Sequence, residues 1–561
     1  MDAAQSAQSA GASGAETSSP GPTISDSPPG STTEAAPLPE ALSPGSGPYR
    51  PPPGSPFSTV SPLDGSALSA VEATPVEAVA DIVARARSAQ KAWGDLPVRD
   101  RVDAVAKVKK RILSRAQEIA ELVHKECGKP IEEAALAEVL PNADLVDYWA
   151  LTAEEQLDGV TLELDALTYP GKIGRVHRDP RGVIALITPW NYPVAIPLRT
   201  ILPALIAGNA IVFKPSEVTP RAGALVASLF KDIVPSGVLE LVQGAGDVAQ
   251  AVIEAGVDAV VFTGSVATGK RVAVACAERL VPCSMELGGK DAAIVLADCK
   301  LERTARGLVW GAFTNAGQNC ASIERVYVER PVAEKLIARV VELTKELKPG
   351  VDTAVITTQR QAAIVRRHLA EAIAKGGEVL VGGAPEGDSL AFPPTVVKLA
   401  SEDCALMKEE TFGPIMPILL VDGADDAITR TNASRFGLTT SVWTKKVRKG
   451  RDIARKLKSG VVTINNHGFT AALPGAPWTG TGDSGYGVTN GPHALAELTR
   501  PRFVLEDTSG AKTELWWYPY TPALRAVAYA MARVRGGTGF FGRIAAFFAL
   551  LGALPKRLSG G

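Results

Sequence analysis

The 561-residue chain is 46% hydrophobic and 21% charged, the balance of a soluble globular protein large enough for more than one core. Its 59 basic and 60 acidic residues leave a net charge of −1, which argues against nucleic-acid binding, a role that calls for a basic excess. Six cysteines without a CxxC pair exclude a disulfide scaffold and fit a reduced, cytoplasmic compartment, and the five histidines (His124, His177, His368, His467, His493) lack the spacing of metal ligands.

Residues 1–56 hold 12 of the 41 prolines and, as branched aliphatics, only Ile24, Leu38 and Leu42. Such a Pro/Ser/Gly/Ala-rich segment buries too little apolar area to offset chain entropy, so a disordered tail is expected. Its first 20 residues lack the apolar core of a secretory signal. Order begins near Phe57. Thr74-Pro75-Val76-Glu77 reads as a capping box opening a helix with Val76, Val79, Ile82, Val83 and Ala86 on one face. Val98, Val102, Val105, Val108 and Ile112 mark a second packing helix.

From about residue 183, short apolar runs alternate with helical pattern: Val183–Ile187, Ala210–Phe213, Val238–Val242, Ala259–Phe262 and Ala292–Leu296. This is the signature of βαβ units and a parallel sheet. Three runs end in polar turns, at Thr188-Pro-Trp-Asn, Lys214-Pro-Ser-Glu and Thr263-Gly-Ser. Ligands of open α/β sheets bind at the carboxyl ends of strands, so these turns are expected to converge. A second α/β block spans about 290–465, with runs at Val326–Val328, Val379–Val381, Ile415–Val421 and Val461–Ile464. Residues 515–561 form an extension. Within 521–561 six basic residues stand against no acidic one, and the apolar stretch Phe540–Leu554 is short of the roughly 20 residues that span a bilayer. Two readings fit it, a helix lying in a membrane interface and a helix docked on protein.

Four clusters carry chemistry. Phe262-Thr263-Gly264-Ser265, with Gly269, follows a strand and opens a helix, where glycines and a helix N-terminus accept a diphosphate; a structural glycine turn explains it equally. Lys214 and Glu217 suit a ribose, or form a surface ion pair. Glu286-Leu287-Gly288-Gly289-Lys290 sets a carboxylate before two glycines. Gly317-Gln318-Asn319-Cys320 places a thiol where a helix is expected to start and to lower its pKa. The remaining cysteines read as small core residues.

Together with Gly128-Lys129-Pro130, Pro189-Trp190-Asn191-Tyr192-Pro193, Glu409-Glu410-Thr411-Phe412-Gly413-Pro414 and the Gly-rich stretch near Asp483-Ser484-Gly485, these clusters closely resemble the aldehyde dehydrogenase superfamily over about 57–505. The resemblance implies an α/β fold of two Rossmann-like domains plus a small β oligomerisation arm. The parts are an NAD-binding domain (57–164 and 183–287), a catalytic domain (288–465) and an arm (165–182 and 485–506), assembled as a homodimer or homotetramer. It also implies NAD(P)-dependent oxidation of an aldehyde to the acid. Cys320 is then the nucleophile, Asn191 the oxyanion donor, Glu286 the general base, and Lys214 a support for the oxyanion amide. Trp190, Lys214, Glu217, Gly264, Ser265, Gly269, Leu287, Glu410 and Phe412 line the cofactor site, with no metal. A carboxylate at Glu217 suits two ribose hydroxyls and repels a 2′-phosphate, favouring NAD over NADP.

Two stretches depart from the family pattern: Pro477-Trp478-Thr479-Gly480, expected to reshape the substrate mouth, and Lys348-Pro-Gly-Val-Asp352. Tyr192, Trp310, Phe313, Ile323, His467, Phe469 and Trp478 bias the pocket towards apolar or lipid-derived aldehydes. No arginine falls clearly in the pocket segments and Arg325 reads as structural, which makes a succinate-semialdehyde type the alternative. A Cys-Glu-Lys amide or nitrile hydrolase is a remote rival, since it leaves the Phe262–Gly269 turn and Glu410 without purpose.

Overall fold

The computed structural model describes residues 55–166, 168–510, 512–514 and 516–558, with the side chains of 556–558 excepted. The expected disordered tail therefore lies outside the described residues, except for Ser55 and Pro56; Pro56 pairs with Glu72 beside the buried Phe57.

Two sheets organise the chain. In the first, five strands run parallel in the order Leu239–Leu241, Ala210–Lys214, Val183–Ile187, Ala259–Thr263 and Cys283–Glu286. The middle strands are buried on both faces, which is why they read as unbroken apolar runs. Helices cover both sides. Val79–Gly94 turns Val79, Ile82, Val83 and Ala86 inward, as its spacing predicts. Thr74 does not cap it, because the Thr74 hydroxyl instead accepts from the Gln243 N–H, tying the segment to the sheet edge. The second predicted helix is two, Val98–Ala106 and Val108–Ser114, with Val102, Val105, Val108 and Ile112 buried.

The second sheet has seven strands in the order Glu378–Val381, Thr395–Leu399, Ile415–Val421, Ile323–Glu329, Asp291–Val295, Thr439–Trp443 and Val461–Ile464, with only the first strand antiparallel to its neighbour. A separate three-stranded antiparallel sheet joins Val160–Leu162, Lys172–Pro180 and Thr499–Asp507, leaving Val160, Ile173, Phe503 and Leu505 exposed.

The C-terminal extension is a helical hairpin. Pro522–Ala532 and Phe540–Leu558 pack together through Val527, Met531 and Leu550. Phe540, Phe541, Ile544, Phe547, Phe548 and Leu551 recur at helical spacing on the side away from that seam, and all are exposed. Among the described residues no helix is long and apolar enough to cross a membrane.

Candidate active site

The carboxyl edge of the first sheet gathers the polar turns, as expected. Ile187 registers with Lys214 and Phe262, and Thr263 with Glu286, so the turns at Thr188, Pro215, Gly264 and Leu287 leave the sheet side by side. The Thr188 N–H donates to the Lys214 carbonyl at 3.1 Å. Lys214, at 4% exposure, pairs at 3.2 Å with Glu217, whose side chain is 38% exposed, so the pair stands at the rim of the crevice with its lysine end buried. Burial opposes ionisation of Glu217, but Lys214 outweighs it and holds the carboxyl below its ordinary range. Ser265 caps the helix Val266–Ala277, accepting from the Thr268 N–H. Gly269 lies where a Cβ would sit 2.4 Å from the Leu287 side chain.

Across the crevice, the Trp190 and Phe412 rings meet edge to face, 5.6 Å between centroids, although 222 positions separate them in sequence. Phe412 adopts a left-handed φ of 52°. Glu410 accepts from the Gly289 N–H at 2.9 Å, and burial, aided by Glu324, pushes its pKa up to about 8. Gly288 has no Cβ because the Glu410 carboxyl occupies that space at 2.3 Å. A helix N-terminus, close glycines, a Lys–Glu pair and two facing rings are a donor set that fits a dinucleotide.

The thiol sits next to this cradle. Asn315, Ala316 and Gly317 take φ of 51°, 53° and 69°, a left-handed run that throws the chain sharply before Cys320. Cys320 then lies in a turn ahead of the strand Ile323–Glu329, not at a helix N-terminus. The expected lowering of its pKa is therefore reversed: burial and the facing Asp291, Glu286 and Glu410 push it up to about 12, with Arg199 acting the other way. The Asn191 Nδ2 donates to the Gln318 carbonyl at 3.1 Å, while its Oδ1 is buried without a hydrogen-bond partner. Neither oxygen of Glu286 has a hydrogen-bond partner. Burial raises its pKa well above the carboxylate range, against the pull of Arg199 and the nearby Trp478 indole.

Cys320 opens into a cavity of about 1030 Å³ walled by Ile131, Leu136, Ile196, Trp310, Phe313 and Phe469, among others. Three pocket expectations need correction. Trp478 is buried against Cys320, Ala321 and Leu438, because its strand pairs inward with Val488–Thr489; it backs the thiol and does not shape the mouth. Ile323 and His467 also back the site: Ile323 is fully buried, and the neutral His467 bonds the Ala321 carbonyl. An arginine does line the cavity. Arg199, on the helix Ala195–Ile206, has no hydrogen bond or ion pair among the described residues. It is the one charge in an otherwise apolar helical stretch, and that was its signal in the sequence. Arg325 is structural, donating to the Lys290 carbonyl at 2.8 Å.

Other residues escaped sequence reasoning. Glu324 accepts from the Thr411 and Phe412 N–H groups, each at 2.8 Å, and pairs with Lys290, fixing the loop that carries Glu410 and Phe412. Cys283, read as packing, has its pKa lowered by the adjacent Cys276, and the Tyr486 hydroxyl stands 3.2 Å away.

Residues 49–504 match the family described as "Aldehyde dehydrogenase family". The 4,4'-diapolycopene aldehyde oxidase of Methylomonas sp is 34% identical over 470 residues, spanning 83% of this chain and 88% of that protein. The NADP-dependent glyceraldehyde-3-phosphate dehydrogenase of Bacillus halodurans C-125, solved with NADP, is 33% identical with a TM-score of 0.77, covering 81% of this chain and 96% of that one. The aldehyde dehydrogenase of Bacillus cereus, solved with NAD+, is 30% identical with a TM-score of 0.78, covering 81% and 94%.

Proposed function

The chain belongs to the aldehyde dehydrogenase family and is an NAD(P)-dependent aldehyde dehydrogenase; we propose that it oxidises apolar aldehydes to carboxylic acids through Cys320. The observation that carries this reading is the convergence of one thiol, one unpartnered carboxyl and one side-chain amide beside a dinucleotide cradle. Once its proton is lost, the Cys320 thiolate forms a bond to the carbonyl carbon, and the carbonyl π pair moves to oxygen. The Asn191 Nδ2 and the Cys320 backbone N–H receive that oxyanion; one such donor is worth about 2.7–4 kcal/mol. Lys214, Glu217, Gly264, Ser265 and Gly269 would hold the adenosine end of the cofactor, and Trp190, Leu287, Glu410 and Phe412 the nicotinamide end. Bound there, NAD(P) supplies the hydride acceptor. Glu286 takes a proton from water, which cleaves the Cys320 thioester and frees the acid. Because its pKa is raised, the ionised base grows with pH and so does hydrolysis. Glu217, kept ionised by Lys214, favours NAD over NADP.

The mostly apolar cavity wall supports an apolar substrate, and the hairpin beyond the family match supports delivery from a lipid surface. Its exposed phenylalanines, with Arg525, Arg533 and Arg543 and no acid in 521–561, suit contact with an anionic membrane on the cytoplasmic side. The exposed apolar residues of the three-stranded sheet support a homodimer or homotetramer built across it. Arg199 favours a second reading, an aldehyde carrying a carboxylate, as in succinate semialdehyde.

Glu286→Gln tests the mechanism: one equivalent of NADH should appear in a burst, and mass spectrometry should find acyl-Cys320. Unchanged steady turnover would refute the assigned base.

A further inference from the structure

The Gly128-Lys129-Pro130 turn has no place in the chemistry above, yet it holds one of the most completely buried ion pairs in the protein. Lys129 and Glu138 are both 0% exposed and meet at 2.5 Å. Glu138 stands in a π-helical turn, Ala135–Val139, inserted between α-helical segments. Such bulges cluster at functional sites, because the wider turn re-aims a side chain. Here it aims a carboxylate at the start of the helix Ala195–Ile206. Its Oε2 accepts from the Val194 N–H at 3.1 Å and the Ala195 N–H at 2.8 Å. Charge-assisted bonds to a helix N-terminus are among the stronger local restraints, since otherwise orphaned donors meet a full negative charge.

The segment thus clamped carries Asn191 three residues upstream of Val194. Between them the Lys129 ammonium lies 3.7 Å over the Tyr192 ring, and Pro193 restricts the backbone. On the other side the Asn315 side chain donates to the Asn191 carbonyl at 3.0 Å and to the Gln318 carbonyl at 2.9 Å. The same turn reaches the thiol loop, because the Gly128 carbonyl accepts from the Val355 N–H while Gln318 donates to the Val355 carbonyl. Asn191 is therefore fixed between two buried frames, one led by Glu138 and one by the strained turn before Cys320.

We propose that Glu138, neutralised by Lys129, is the positioning residue that sets the Asn191 amide for the oxyanion. The proposal deepens the reading above and depends on Asn191 serving the oxyanion. Glu138 touches neither substrate nor cofactor. It acts by holding the Asn191–Ala195 turn at the distance the reacting oxygen needs, and displacements near 1 Å in such a donor cost about 100-fold in rate.

The test is a double-mutant cycle on the full-length enzyme with NAD and hexanal, read by the single-turnover NADH burst. Glu138→Gln keeps an acceptor for the two N–H groups but leaves Lys129 unpaired, so Lys129→Met/Glu138→Gln serves as the second variant; whichever melts nearer to wild type is read. The expected result is a burst slowed about 10- to 100-fold, a KM for hexanal changed less than about threefold, and an unchanged rate of Cys320 alkylation by iodoacetamide. On an Asn191→Ala background the same substitution should cost less than about twofold more, because the amide it positions is gone. Additive losses, or alkylation slowed in parallel, would overturn the positioning role while leaving Asn191 in place. An Asn191→Ala enzyme with a normal burst would remove the oxyanion role itself, and the proposal with it.

Discussion

The electrostatics around Cys320 make a quantitative prediction about the free enzyme. The thiol is pushed up to about 12, first by burial and then by Asp291, Glu286 and Glu410. At pH 8 that leaves about one thiolate in ~10⁴ molecules, a cost of about 5 kcal/mol. Raising the pH by one unit should raise the thiolate, and the rate of its alkylation, about tenfold. The assay is iodoacetamide alkylation of cofactor-free protein from pH 7 to pH 10, with peptide mass spectrometry to separate the cysteines and Cys320→Ser as the blank. Cys283, whose pKa the adjacent Cys276 lowers, should react earlier than Cys320 and with a weaker dependence on pH. A Cys320 rate that levels off between pH 7 and pH 9 would refute the reasoning, for it would mean that the carboxyls around the sulfur do not act on it as their placement requires.

Backbone crowding predicts unequal effects at two neighbouring glycines. A Cβ at Gly289 would sit 2.4 Å from the Cys320 carbonyl oxygen, so Gly289→Ala should slow the NADH burst by about 100-fold or more. Gly288→Ala would meet only the Glu410 carboxyl end and should mainly raise the KM for NAD; equal burst losses at both positions would contradict this. Arg199→Met should raise the KM for succinate semialdehyde at least tenfold over that for butanal, roughly the worth of one charged hydrogen bond, and equal shifts would remove the carboxylate reading. The hairpin predicts that full-length protein co-sediments with phosphatidylglycerol vesicles and that Phe541→Ser/Phe548→Ser, both at exposed positions, releases it; failure of the wild type to sediment would dismiss the membrane contact.

Elements with unbroken apolar runs were legible because both faces are buried. Ile415–Val421 falls where the sequence places it, and so does Val461–Ile464, a half-buried edge strand that is legible by its β-branched residues alone. Three strands of the two sheets were not legible, Thr395–Leu399 among them. Cys283–Glu286 and Thr439–Trp443 mix polar with apolar residues, and in the second the Thr439 N–H and hydroxyl are satisfied by the distant Asp291. Strand propensity in a single sequence cannot register a partner 148 residues away. The site divides in the same manner. Motifs with glycines or a lone thiol stand out, because few residue types tolerate those backbones. Glu138, Arg199 and Glu324 are ordinary charges in the sequence, and only burial gives them meaning. The Cys320 pKa runs opposite to the sequence expectation for a related reason: a helix end is a local feature, whereas Asp291, Glu286, Glu410 and Arg199 reach the thiol from distant segments.

The left-handed run before Cys320 shows how the two kinds of residue depend on each other. Asn315 and Ala316 in that conformation cost about 1–3 kcal/mol each, and glycine relieves only the third position. Gly317 is needed for another reason as well, since a Cβ there would lie 2.2 Å from the Gly413 carbonyl oxygen. The strain is offset by amides that bridge out of the loop: Gln318 donates to the Asn315 and Val355 carbonyls and accepts from the Thr357 N–H, and Asn315 reaches across to Asn191. Each of these bonds is fully buried, where an unmade partner is costly. A relaxed loop would therefore have to break the link between the thiol turn and the oxyanion amide. The structure ties the thiol turn and the Asn191 amide into one hydrogen-bonded unit at the expense of two unfavourable backbone conformations.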